Sequence, residues 1–98
     1  MNIEKLTDSQ LNSVLIEWRY GSGDKDIEKA KARGKLNFLK DWNLAMDVFK
    51  THGSIIKRDD FGWIAGGYYS GSIKIEVSNK SAIRAVCEYL AYISITDR

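Results

Sequence analysis

Two side chains in this 98-residue chain carry the chemistry of a nucleophile and a base, Cys87 and His52, and each is the sole residue of its type. A thiol activated by a neighbouring imidazole would be a competent nucleophile. Their spacing gives no reason to pair them. Cys87 falls in the run Ile83, Val86, Cys87, Leu90 and Ile93, where a free cysteine packs as a small apolar residue, whereas a reactive thiol needs an exposed electropositive setting. His52 precedes Gly53 at an expected helix end, where an imidazolium interacts favourably with the helix dipole. One Cys and one His fall short of a structural zinc set, and a lone Cys forms no internal disulfide.

The carboxylates and glycines offer no stronger pattern. Asp59 and Asp60 are adjacent at an expected turn, where Asp side chains bond their own backbone. Asp24 and Asp26 lack the further ligands and the glycine of a calcium loop. Gly21-Ser22-Gly23 precedes a candidate helix, but no strand leads into it and both aspartates would repel a phosphate. Gly66-Gly67-Tyr68-Tyr69-Ser70-Gly71 opens no helix and reads as strand and turn. No catalytic residue, metal site or cofactor is therefore expected, and the chain reads as a non-enzymatic protein.

Two features suit the binding of a macromolecule instead. From Asp24 to Lys40 the chain carries Lys25, Lys29, Lys31, Arg33, Lys35 and Lys40 against Asp24, Asp26 and Glu28. With a formal charge of +2 overall, all the net positive charge falls in this segment, which could meet nucleic-acid phosphates or an acidic protein surface. Interspersed acids dilute the field, and a solvated charged face is the plainer alternative. The second feature is aromatic: Trp63, Tyr68 and Tyr69 crowd one expected strand beside Phe61. Strand alternation sends Trp63 and Tyr69 to one face and Tyr68 to the other. One set belongs to the core, and the other is free to anchor a partner.

The elements that would position these groups follow from periodicity. Thr7 and Gln10 fit a capping box, with Leu6 and Leu11 at staple spacing. Leu11, Val14, Leu15 and Trp18 then mark the apolar face of a helix ending near Tyr20 and Gly21. Asp24 to Lys40 is linker-like, either a short exposed helix over Asp24 to Arg33 or a mobile excursion. Asp41 caps a helix whose stripe is Trp42, Ala45, Met46 and Phe49 and whose stop is Gly53. The period then changes to two. SIIKRD, WIAGGYY and SIKIEV read as three antiparallel strands, with Ile73, Ile75 and Val77 on the buried face and Ser72, Lys74 and Glu76 on the wet one. Gly66 and Gly67 mark a bulge or a close approach. Ser78 or Asn79 caps a last helix, with Arg84, Glu88 and Tyr92 off its apolar face.

These elements predict an α+β fold, a single small domain over 1–98 in the order helix, helix, three-stranded meander, helix, with the helices packed on the sheet. An apolar fraction of 44% with 29% charged residues is that of an ordinary folded domain. No apolar run approaches the roughly 18 to 20 residues of a membrane span, and Glu4, Lys5 and Asp8 stand where a signal peptide would be apolar. The expected location is the cytoplasm. Neither edge of the meander is protected by proline, so a homodimer through an edge or through the exposed aromatic face is expected.

The order of Lys5-Leu6-Thr7-Asp8-Ser9-Gln10-Leu11, Asp41-Trp42-Asn43-Leu44-Ala45-Met46, Gly62-Trp63-Ile64-Ala65 and Ser81-Ala82-Ile83-Arg84-Ala85 resembles small phage and prophage proteins. It is similar to the NinX-like phage proteins and to a phage domain described as an α-β-α sandwich. Trp42, Trp63 and Arg84 are the matching positions. The resemblance implies a phage or prophage accessory protein in the cytoplasm of a bacterial host, and brings no activity with it. In that setting the expected function is stoichiometric inhibition of a host antiviral defence complex, in the manner of anti-CRISPR proteins. The partner would be a host or phage protein complex, met by the Lys-rich segment and the sheet aromatics. A nucleic-acid-binding accessory factor is the alternative, and a small-ligand binder or small enzyme using Cys87 or His52 is a third reading.

Overall fold

In the computed structural model, which describes residues 2–69 and 73–96, a 3₁₀ turn over Ile3–Lys5 leads into α1 (Asp8–Tyr20), α2 (Lys25–Ala32) and α3 (Trp42–His52). Strands β1 (Ile55–Arg58), β2 (Trp63–Tyr69) and β3 (Ile73–Asn79) follow, and α4 (Ala82–Thr96) closes the chain. The fold is α+β. The strands form one antiparallel sheet in the order β1-β2-β3. Its inner face packs on α4, and α1 and α3 pack against other sides of the same helix. No helix among the described residues is long and apolar enough to cross a membrane.

Local chemistry accounts for the helix boundaries. The Thr7 hydroxyl accepts from the Gln10 N–H at 3.1 Å while the Gln10 side chain accepts from the Thr7 N–H at 2.9 Å, a reciprocal cap that satisfies two otherwise orphaned donors. Asp41 caps α3 by accepting from the Leu44 N–H. Its buried stripe is Ala45, Val48 and Phe49, whereas Trp42 is 42% exposed. The stripe is therefore rotated from the expected one: Val48 takes the place assigned to Trp42, and Met46 is half-buried.

The cap of α4 also differs from expectation. Ser81 accepts from the Arg84 N–H at 3.3 Å and its carbonyl accepts from the Ala85 N–H, so Ser81 is the cap residue. Asn79 acts one step earlier, accepting from the Ser81 N–H at 2.9 Å. A helix enclosed by a sheet and two helices has no polar face to spare. Residues 85–91 of α4 are all buried, including Glu88, which its spacing had placed off the apolar face. Glu88 is tolerated because Arg84 Nε and Asn79 Nδ2 both donate to Oε2 at 2.8 Å.

The register between β2 and β3 is continuous from Trp63↔Asn79 to Tyr69↔Ile73. No bulge occurs at Gly66 or Gly67, so of the two readings close approach is the one observed. A Cβ on Gly67 would lie 2.6 Å from the Tyr89 hydroxyl and 3.1 Å from both Gly53 Cα and the His52 carbonyl. That hydroxyl donates to the His52 carbonyl at 2.7 Å, and its ring meets Phe49 edge-on. The bare glycine backbone lets the sheet, α3 and α4 converge there.

The segment between α2 and α3 is more firmly held than its composition suggests. Phe38 is 1% exposed and Leu39 8%. From α1, the Asn12 side chain accepts from the Phe38 N–H and donates to the Leu36 carbonyl, both at 2.9 Å. One buried amide thus fixes the backbone of the whole turn, satisfying two main-chain groups that burial would otherwise leave unpaired.

Candidate functional site

The orientation of α2 decides what its cations can do. Asp24 caps it, accepting from the Asp26 and Ile27 N–H groups. Ile27 packs against the core, and half-buried Lys31 donates to Ser13 Oγ at 2.7 Å. At 100° per residue this inward face turns Lys25 and Lys29, followed by Arg33 just past the last turn, to the opposite side. All three are exposed, as is Lys35. Gly34 at φ 74° ends the helix, with Gly34 N–H bonded to the Lys31 carbonyl and Lys35 N–H to the Ala30 carbonyl. That is a Schellman stop. Of the basic residues named from sequence, Lys25, Lys29, Arg33 and Lys35 are free in solvent. Lys31 is a correction, since its ammonium is committed to α1.

The aromatics divide between the sheet faces. Trp63 shares the inner face with Ala65 and Gly67 and packs half-buried against the core, with the Arg58 guanidinium 5.9 Å from its ring centroid. It is core-side rather than an exposed anchor. Tyr68 stands on the outer face and is 55% exposed. Tyr69 lies on the inner-face register, and its side chain is outside the described residues. Phe61, at the β1–β2 turn, is 84% exposed. Asp59 accepts from the Phe61 and Gly62 N–H groups at 2.9 and 2.8 Å, so the turn that presents Phe61 is fixed. Its place beside Asp-Gly turn chemistry was the signal available for that exposure.

The residues with intrinsic reactivity are engaged elsewhere. Cys87 is buried, its thiol directed at the Phe38 carbonyl at 3.5 Å. Burial pushes its pKa up from 9.0 to about 12. The His52 ring packs 5.0 Å from the Trp18 ring. Native-state alkylation of Cys87 at pH 8 is therefore expected to run at least ~100-fold slower than alkylation in urea, because the thiolate is the reactive form. The same shift has a stability consequence. Above about pH 9 the unfolded chain releases the thiol proton while the folded one keeps it to about 12, so stability falls as pH rises through that window. Denaturation midpoints between pH 8 and 10.5 check the sign.

Among the described residues no cluster of three or more His, Cys, Asp or Glu could hold a metal ion. The hollow beside Gly21 and Ser22 is bordered by Glu17 and Glu28 as well as Lys31, a poor setting for phosphate. Arg84 is an internal tie: it donates to Glu88, to Asp8 Oδ1 at 2.7 Å and to the Leu6 carbonyl at 2.6 Å. Burial works against its charge, and the bonds to Glu88 and Asp8 outweigh it, so its pKa is raised.

Fold and surface together define a small α+β domain with a free cationic helix face and an uncovered outer sheet face. Set beside family models, curated proteins and solved structures, the chain matches none.

Proposed function

We propose that this is a non-enzymatic accessory protein, encoded by a phage or prophage and acting in the host cytoplasm, that works by occupying the surface of a larger complex. In the setting implied by its resemblance to NinX-like proteins, the target is a host antiviral defence complex, inhibited stoichiometrically. The observation that carries the reading is the outward row of Lys25 and Lys29 on α2 and Arg33 just past its end. Packing uses the opposite side of the helix, so the row is available to an acidic partner without cost to the fold. The same reading includes self-association through the sheet.

The test is affinity capture of tagged protein from a bacterial lysate with and without nuclease, repeated with Lys25→Glu, Lys29→Glu and Arg33→Glu combined. A near-stoichiometric, nuclease-resistant complex that the triple variant loses is the expected result. The row of cations also suits a phosphate backbone. In that second reading the captured material vanishes with nuclease, and binding to plain duplex falls steeply with salt, the slope shrinking by about 1 for each contact removed. Capture unchanged by the triple variant would rule out α2 as the contact.

A further inference from the structure

The sheet has two open edges, and they differ in a way that points to one of them. β1 offers four residues, and its charges, Lys57 and Arg58, are both basic. β3 offers seven, with Lys74 and Glu76 two positions apart on the outer face and ion-paired to each other at 2.7 Å. The Asp59 N–H bonds the Gly62 carbonyl, which makes 59 and 62 a hydrogen-bonded pair and fixes the alternation across the sheet. Counting along the registers, Ala65, Gly67 and their partners Val77 and Ile75 bond across β2–β3. The N–H and C=O groups of Lys74, Glu76 and Ser78 are left directed at the open edge.

A groove of about 490 Å³ runs beside this edge, lined by Glu4, the 74–78 stretch of β3 and Tyr92. Ile75 and Tyr92 are only half-buried on it. A lysine on an edge strand ordinarily keeps other strands away. Here Glu76 reverses that effect for one partner in one alignment. If a second β3 pairs antiparallel, only alignments that set edge-directed residues opposite one another can form hydrogen bonds. Centring on Lys74 opposes two lysines, and centring on Glu76 opposes two glutamates. Centring on Ile75 sets each Lys74 against the other copy's Glu76, and brings the two Ile75 side chains together beside Tyr92 on the inner side.

We propose that the open edge of β3 pairs antiparallel with β3 of a second copy, centred on Ile75, so that the Lys74–Glu76 pair within each strand is extended by reciprocal cross-strand ion pairs into a four-charge cluster in a six-stranded sheet. The proposal rests on the self-association included above and specifies its edge and register. β1 is unsuited to the same role, because its exposed charges repel in any self-pairing.

The test is light scattering at low salt over a concentration series for wild type, Lys74→Glu, Glu76→Lys and the double exchange, with circular dichroism to verify folding. Wild type and the double exchange are expected to dimerise, and each single variant to dimerise at least about tenfold more weakly, since like charges then oppose at both positions. The two single variants mixed in equal amounts are expected to recover a heterodimer, a result no folding defect would mimic. A dimer of wild type that neither single variant weakens would overturn the edge and register while leaving self-association standing. A monomer at every concentration would overturn both.

Discussion

Arg84→Ala is expected to lower the free energy of unfolding by about 3 to 5 kcal/mol, the cost of leaving a buried charge without its partner. The Glu88 side chain is 2% exposed, and Arg84 is one of its two hydrogen-bonding neighbours. The same guanidinium holds the Leu6 carbonyl and Asp8, tying the chain entering α1 to α4. Asp8 itself is 73% exposed, so Asp8→Ala should cost no more than about 1 kcal/mol. Urea denaturation separates the two. Arg84→Met combined with Glu88→Leu should lie nearer wild type than Arg84→Ala, because removing both charges removes the orphan. If Arg84→Ala costs no more than Asp8→Ala, Arg84 does not hold the buried carboxylate.

The second large effect is at Phe38. Phe38→Ala should cost about 3 to 5 kcal/mol, the usual penalty for emptying a buried aromatic site. Phe38 is also the point where the Asn12 amide and the Cys87 thiol meet the turn. Its removal should loosen the α2–α3 connection, seen as faster amide exchange over 25–41 than over α4. If that connection were a mobile excursion, the substitution would cost almost nothing and exchange over 25–41 would already be fast in wild type.

Phe38 also shows where sequence reading stopped. Four large apolar residues, Ile27, Leu36, Phe38 and Leu39, were visible in a Lys-rich segment. Periodicity assigns burial to residues on a repeating face, and a turn has none. What holds the Phe38 backbone in place while its ring joins the core is a side-chain amide on α1, 26 residues away. The meander, the capping box of α1 and the closing helix were legible because each rests on local spacing or on a run of alternating residues. Glu88 was misplaced for the same reason as Phe38: a helix enclosed on several sides loses the polar face that amphipathic spacing presumes. For the surface, the cationic residues were legible, but the loss of Lys31 to Ser13 and the inward side of Trp63 depend on how α2 and the sheet are docked. Those facts live in tertiary packing.

The position of α4 in the chain has a consequence for biosynthesis. It follows the sheet, α1 and α3 in the chain, yet all three complete their apolar faces against it. While the ribosome is still translating the strands, none of these faces has its partner. The Arg84 contact to the Leu6 carbonyl spans 78 residues, so the chain entering α1 is joined to α4 only after everything between them has been made. Non-local closure of this kind slows folding and prolongs the exposure of strand edges. Until α4 emerges, the apolar faces of the sheet, α1 and α3 stay uncovered.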